Sequence, residues 1–520
     1  MMKARPQHES VVILAQVQAG LVMSALALAT SSAGCGTDSG SQPEAGVGDA
    51  SIADAGDAGV ARDAQQDVQE EQQLAPDAVT PGPDAAVPYS WTPKPCGFYA
   101  AATGGNDGNP GTSAQPFATV TRLQKALRGA AAPSKVGCLK AGSGGAYDLT
   151  ATLVLQQGTD DGETWESDPA GGVNSAVLDG KSTLPCLIQT DASDITIDGL
   201  KLQHVVDNLT CHDDGKTTIS NLTIVNSDIG FNSAGAGSGG FPPCLMANGA
   251  KGVTVKHNYV HDCASQGIGL FAYQAGLVLD DVVVDSNFVL RAVQVVPDGG
   301  AIYLILVANY TASSIHVTNN FVRDYGTATV PNAHGVYLDE GTNHVVVRGN
   351  TIGAPTVGSG KATGCLIADG HDNRFEGNIC DLGTSGVAWA GVWWYPGSEQ
   401  FTPGNNSYTG NIVVSRFSGN QRTSAFGVSG PSFVQIASPA KDPTITGNMF
   451  HDYGGGQVRT DGNVVGDSSP LLADPLCSGN LYALASSSPA LSAPMSFVPI
   501  VGGWGPPGFV VPDDSNRSCP

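Results

Sequence analysis

A short phrase recurs along the chain: two or three β-branched residues, a polar gap, an asparagine, then an apolar residue. It reads Val253-Thr-Val-Lys-His-Asn258-Tyr-Val260, then Val282-Val-Val-Asp-Ser-Asn287-Phe-Val289, Ile315-His-Val-Thr-Asn-Asn320-Phe-Val322 and Val345-Val-Val-Arg-Gly-Asn350-Thr-Ile352. Weaker copies centre on Asn226, Asn378, Asn411 and Asn448, and the eight asparagines are 32, 29, 33, 30, 28, 33 and 37 residues apart. Apolar residues alternate with period two inside each copy, and Gly or Asn arrives every few residues, so the elements are short strands. A fixed period in this range predicts a solenoid, and a sandwich would have no reason to keep the asparagine interval. Stacked at one corner of successive turns, the asparagines are expected to bond to one another and to be structural.

Outside the repeats the pattern divides the chain further. Residues 1–35 carry Lys3 and Arg5, an apolar run from Val11 to Ala29 and Ser32-Ala-Gly-Cys35. This reads as an export signal, and the ending resembles a bacterial lipobox, although Ser32 stands where Leu is usual. Residues 36–90 hold eleven acids against one base, Arg62, a net of −10. That composition cannot bury enough apolar surface to order itself, and as a flexible tether it would span roughly 40 Å. Residues 95–495 are expected to form the folded domain, and 496–520 an irregular Pro/Gly-rich tail.

Charge and cysteines narrow the function classes. The net charge of −23 excludes a basic face for nucleic acid. Of eleven cysteines, ten lie beyond the leader. In an exported chain they read as up to five disulfides. Neighbour pairing gives Cys96–Cys138, Cys186–Cys211, Cys244–Cys263, Cys365–Cys380 and Cys477–Cys519, with free buried thiols as the alternative.

Two local phrases carry a resemblance. Phe98-Tyr followed by Gly105-Asn-Asp-Gly-Asn-Pro-Gly111 and Gln115-Pro-Phe117-Ala-Thr resembles the entry segment of secreted right-handed parallel β-helix (pectate-lyase-like) proteins. There a short helix covers the end of the coil, which would otherwise expose unpaired strand edges. Leu471-Leu-Ala-Asp-Pro475 and Ser488-Pro-Ala490 resemble the C-terminal ending of the same group. The expected fold is therefore all-β, a right-handed parallel β-helix with a short N-terminal capping helix. The group includes lyases, hydrolases, isomerases and adhesins, so the fold does not choose an activity.

Candidate chemistry sits where two turns align through a shared Val-Pro and Tyr-Leu: Val296-Pro-Asp298-Gly-Gly-Ala-Ile-Tyr303-Leu and Val330-Pro-Asn-Ala-His334-Gly-Val-Tyr337-Leu-Asp339-Glu340. The next turn, Gly364-Cys-Leu-Ile-Ala-Asp369, is expected to place Asp369 under Glu340. Strand alternation then points Ile302, Leu304, Val336, Leu338, Cys365 and Ile367 inward, and Tyr303, Tyr337 and Asp339 outward. Trp393 is expected to extend that strip. Aromatic faces beside carboxylates suit a glycan: rings for sugar C–H groups, acids for the glycosidic oxygen. These phrases resemble segments of β-helical glycoside hydrolases of fucosidase and xylanase type. That resemblance implies catalytic roles for Asp298 and Asp339, with Glu340 in place of a second Asp.

The register raises a difficulty. Asp298 lies seven strand positions from the level of Asp339, about 23 Å on a straight strand, whereas a glycosidase pair needs about 5–9.5 Å. The chain must bend at Gly299-Gly300, or the chemistry must rest on Glu340 with Asp369 or on Asp298 with His334. Two other readings stay open. One is a non-catalytic glycan-binding or adhesive coil. The other is a polysaccharide lyase using Ca²⁺ and a base such as Arg323, Arg348 or Lys361, although the dense acids Asp213-Asp214 and Asp280-Asp281 form no recognised calcium motif. No other cofactor or metal is expected. The expected partner is a polysaccharide, with a membrane reached only through a lipid on Cys35. A monomer is expected, in the outer membrane, at the cell surface or secreted.

Overall fold

The computed structural model describes residues 89–512 except 143–144, 213–217, 235–240, 273–275, 307–311, 313, 357–362, 384–387, 393–403, 416–433, 437–442, 453–464, 468–481, 483, 485, 493–496, 499 and 501. Cys35, Lys361, Trp393, Cys477 and Cys519 lie outside the described residues.

Each turn of chain visits three parallel sheets in the same order. One turn runs Ala250–Lys256, Tyr259–His261 and Ile268–Ala272, and the next begins at Leu279–Asp285. The first sheet runs from Phe98–Ala100 to Thr444–Thr446, the second from Tyr147–Asp148 to Val465–Asp467, and the third from Leu153–Leu155 to Val434–Ile436. Among the described residues the strand pairings are parallel and join consecutive turns, which is a right-handed parallel β-helix. Inward-facing Val, Ile and Leu of all three sheets form one continuous core.

Register is held at the corner between the first and second sheets. The residue at that corner is left-handed in turn after turn: Asn226, His257, Ser286 and Asn319, then Gly349, Gly377, Gly410 and Gly447. The next residue is the ladder position. Asn320 donates its backbone N–H and one amide N–H to Asn350 Oδ1 at 2.9 Å, and its other amide N–H to Val284 O at 2.9 Å. Its own Oδ1 accepts two bonds from Asn287. The same pattern runs from Asn258 to Asn448, all fully buried. The first of the expected asparagines departs from it. Asn226 is the corner residue and bonds Asp198, while Ser227 holds the ladder position and donates its N–H to Asn258 Oδ1. A second, shorter ladder joins Asn373 to Asn406 before the first-sheet strands.

Both ends of the domain fold back on the coil. The helix Val120–Arg128 is capped by Thr119, whose side chain accepts from Arg122 N, and its buried face carries Val120, Leu123, Gln124 and Leu127. Gln124 donates to Val154 O on the edge strand of the third sheet, which supplies a partner to an otherwise open edge. Contacts begin before Pro95: Trp91 donates to Asp198 and Lys94 N to Glu166. At the other end, Phe497, Trp504 and Phe509 join Phe288, Phe321, Ile412 and Met449 in a separate apolar cluster. The tail thus covers the outward face of the second sheet. Four of the neighbour disulfides are formed, Cys96–Cys138, Cys186–Cys211, Cys244–Cys263 and Cys365–Cys380. They are compatible with an extracellular protein. Among the described residues no helix is long and apolar enough to cross a membrane.

Candidate functional site

The acids flank three adjacent strands of the third sheet, Asp298 just before Gly299–Leu306, Asp339 and Glu340 just after Ala333–Leu338, and Asp369 just after Thr363–Ala368. The first two strands align as the shared phrases require, Tyr303 on Tyr337 and Leu304 on Leu338. The third is shifted by one residue from expectation. Val336 pairs with Leu366, Tyr337 with Ile367 and Leu338 with Ala368. Leu366 and Ala368 therefore join the core, and Ile367 turns outward into a cluster with Tyr303, Tyr337 and Phe271. A one-residue slip exchanges the two faces of a strand. It carries Asp369 from the level of Glu340 to that of Asp339, and each of the two donates its backbone N–H to the turn before it, Asp339 to Leu304 O and Asp369 to Leu338 O.

The tyrosines point away from the core but are not an open platform. Tyr303 is 7% exposed and Tyr337 1%. They pack edge to face at 5.4 Å, under cover of each other, Phe271 and Ile367. Alternation could tell outward from inward but not outward from uncovered. The Tyr303 hydroxyl instead donates to the Asp339 carboxylate, which also accepts the Glu340 N–H at 2.8 Å.

The chain bends between Asp298 and Asp339. A Cβ on Gly300 would lie 2.7 Å from the Ile302 carbonyl oxygen and 2.9 Å from Tyr337 Cβ, so the strand curls at a point only glycine fits. Asp298 itself is left-handed, at φ 64°. The straight-strand separation of about 23 Å does not hold. His334 fills the column between Gly300 and Gly364, wholly buried with its ring 4.7 Å from Tyr337. Burial alone pushes its pKa down to about 3, so the imidazole stays neutral and is no candidate base near neutral pH.

The four carboxyls differ in environment. Asp298, Asp339 and Glu340 are half-buried, while Asp369 is 1% exposed. Burial, then the Asp339 and Glu340 charges, raises Asp298 to about 6. Asp339 is raised by burial, against which the Tyr303 bond and the Glu340 N–H favour its ionised form. Glu340 is raised by burial and by Asp339. Asp369 is raised furthest, to about 9, by burial and then by Asp339, Glu340 and Asp298. The Tyr337 hydroxyl, as a hydrogen-bonding neighbour of its carboxyl, offsets the shift only in part. Close carboxyls cannot all ionise together, and these settle into a graded series.

The lyase elements are scattered. Arg323 belongs to the second sheet and pairs with Asp324, and Arg348 belongs to the first and pairs with Glu376. Among the described residues, the one group of three ligand atoms close enough for a metal is Cys96, Cys138 and Glu166, whose sulfurs are already joined. The acids of the third sheet do not form such a group among the described residues, and Asp213 and Asp214 lie outside the described residues.

A family model described as a right handed beta helix region matches residues 186–380. No curated protein matches the chain. Among solved structures, a rhamnogalacturonan lyase is similar at 12% identity and a TM-score of 0.29, over 69% of this chain and 74% of that one. Likeness at that level carries nothing about activity.

Proposed function

We propose that the protein hydrolyses a glycan, with Asp298 as general acid and Asp339 as the carboxylate that acts at the anomeric carbon, directly or through a water. The observation that carries this reading is the contrast between the two half-buried acids. Burial raises both, Asp298 to about 6 with no donor opposing the rise, whereas two donors to Asp339 oppose its rise by stabilising the negative charge. A general acid works best with a pKa near the working pH, and environments that split two carboxyls assign their roles. Asp298 would protonate the leaving glycosidic oxygen, and Asp339 would stabilise or attack the oxocarbenium-like carbon. Asp369, buried and with a pKa near 9, is too weak an acid and too enclosed for either role.

The test is reducing-end release from a panel of polysaccharides. Asp298→Asn and Asp339→Asn are each expected to lower kcat/KM by about 10²–10⁴-fold. Asp298 must be protonated and Asp339 ionised, so activity should fall about tenfold per pH unit above roughly 6, from the value for Asp298. The low-pH limb belongs to Asp339. Release unaffected by either substitution would remove the pair from the mechanism. Unsaturated products would replace hydrolysis with elimination, and absence of release together with retained binding would leave a glycan-binding coil.

Tyr303→Phe removes the donor that favours ionised Asp339. The low-pH limb should therefore move up, while the high-pH limb of Asp298 stays near its place. A pH–rate profile in which both limbs keep their positions would show that the bond does not govern Asp339.

A further inference from the structure

The second sheet carries an exposed aromatic with no evident packing duty. Phe231 lies in the strand Asp228–Asn232 and is 40% exposed. Its backbone is left-handed at φ 66°, an outlier for a bulky side chain. In the turns that follow, the same corner is held by charged residues, Asp262 at φ 51° and Arg291 at φ 52°, which pair with each other. A strained conformation persists where something else compensates for it, and apolar burial does not account for a ring this open.

The surroundings are polar and held in place. Phe231 meets His261 edge to face at 4.9 Å and lies beside His204 at 5.4 Å. His261 is fixed between Asp228 at 2.8 Å and Asp262 at 2.7 Å, and its ring lies so close over Gly230 that a Cβ there would come within 2.6 Å. His204 Nδ1 and Gln203 Nε2 both bond Asp179 Oδ2. His204 and Gln203 lie on the strand paired with that of Phe231. Lys201 pairs with Asp228 at 3.2 Å.

We propose that Phe231 is a sugar-stacking platform, a glycan-binding site separate from the carboxylates of the third sheet. One apolar face surrounded by fixed donors and acceptors matches a pyranose ring, which offers C–H groups on one face and hydroxyls at its edge. The patch is too small for a protein partner, which needs about 800 Å² of surface. The site does not rest on the hydrolytic reading and would serve a non-catalytic coil equally.

Phe231→Gly is the informative variant, because it removes the ring and relieves the left-handed strain together. Wild type, Phe231→Gly and Phe231→Trp would be run in native gels containing xylan, galactan, β-glucan or pectin, with thermal midpoints measured alongside. Wild type should be retarded by at least one polymer. Phe231→Gly should lose that retardation at least tenfold with a midpoint no lower than wild type, and Phe231→Trp should keep it. Equal retardation of Phe231→Gly, absence of wild-type retardation in every gel, or a midpoint several degrees lower in Phe231→Gly would overturn the proposal, the last by making the ring structural.

Discussion

Asp369→Asn is expected to make the protein more stable at neutral pH. The sign follows from linkage. In the unfolded chain an aspartate titrates near 3.9, whereas the folded Asp369 is raised to about 9. Between those values the folded state binds a proton that the unfolded state lacks. Stability therefore falls as pH rises from about 4 and levels off only near 9. At pH 7 roughly three pKa units of this penalty apply, about 4 kcal/mol by order of magnitude. Asparagine matches the shape of the protonated acid and carries no such penalty. Its amide leaves donors to satisfy, so a net gain of about 2–4 kcal/mol is expected. The gain should shrink by most of that roughly 4 kcal/mol, to about zero or below, near pH 4, where the unfolded group also takes up its proton. Urea unfolding at pH 7 and pH 4 measures both. A variant no more stable at pH 7 would mean that Asp369 is ionised and partnered in the folded state. Activity supplies a second readout: the acid and carboxylate roles assigned to Asp298 and Asp339 leave Asp369→Asn within about tenfold of wild type, well short of the loss for a catalytic acid. A larger loss would move the acid role from Asp298 to Asp369.

That split between stability and activity bears on what could be read from residues alone. The coil, its ladder and the alignment of Tyr303 on Tyr337 follow from spacing, because each is a periodic property, whereas the four disulfides agree with neighbour pairing, which spacing alone did not settle. The register of the third strand was not legible. Gly364-Cys-Leu-Ile-Ala-Asp369 lacks the Tyr-Leu pair that anchors the two turns before it, so nothing local distinguishes the alignment from its one-residue neighbour. The same reason hides the stacking of Asp369 on Asp339. Burial of the tyrosines was not legible either, since it depends on Phe271 and Ile367 from other turns. Cover by the tail depends on Trp504 and Phe509 returning about two hundred residues along the chain. The bend at Gly300 was visible as a double glycine, but only the close approach of Ile302 and Tyr337 gives it a direction. Phe231 gave no warning, because positive φ leaves no mark on a phenylalanine.

Asn320→Ala should be among the most damaging single changes in the domain. The side chain is fully buried and uses all its hydrogen-bonding capacity. Its removal orphans the Asn287 backbone N–H, one Asn287 amide N–H and the Val284 carbonyl. Each buried group left unmade costs about 1–3 kcal/mol, so three put the loss at several kcal/mol, before the cavity is counted. Because amides in a chain polarise one another, the effect should spread to neighbouring turns rather than stay at one corner. Hydrogen exchange would then show faster exchange at the N–H groups of Asn258, Asn287 and Asn350 together. Asn226→Ala is the matched control. That residue shares the repeat but sits at the corner, bonding Asp198, which also accepts from Trp91. Its loss should cost about 1 kcal/mol and leave the ladder protected. Equal destabilisation by the two substitutions would mean that corner geometry, rather than the stacked amides, holds the turns in register.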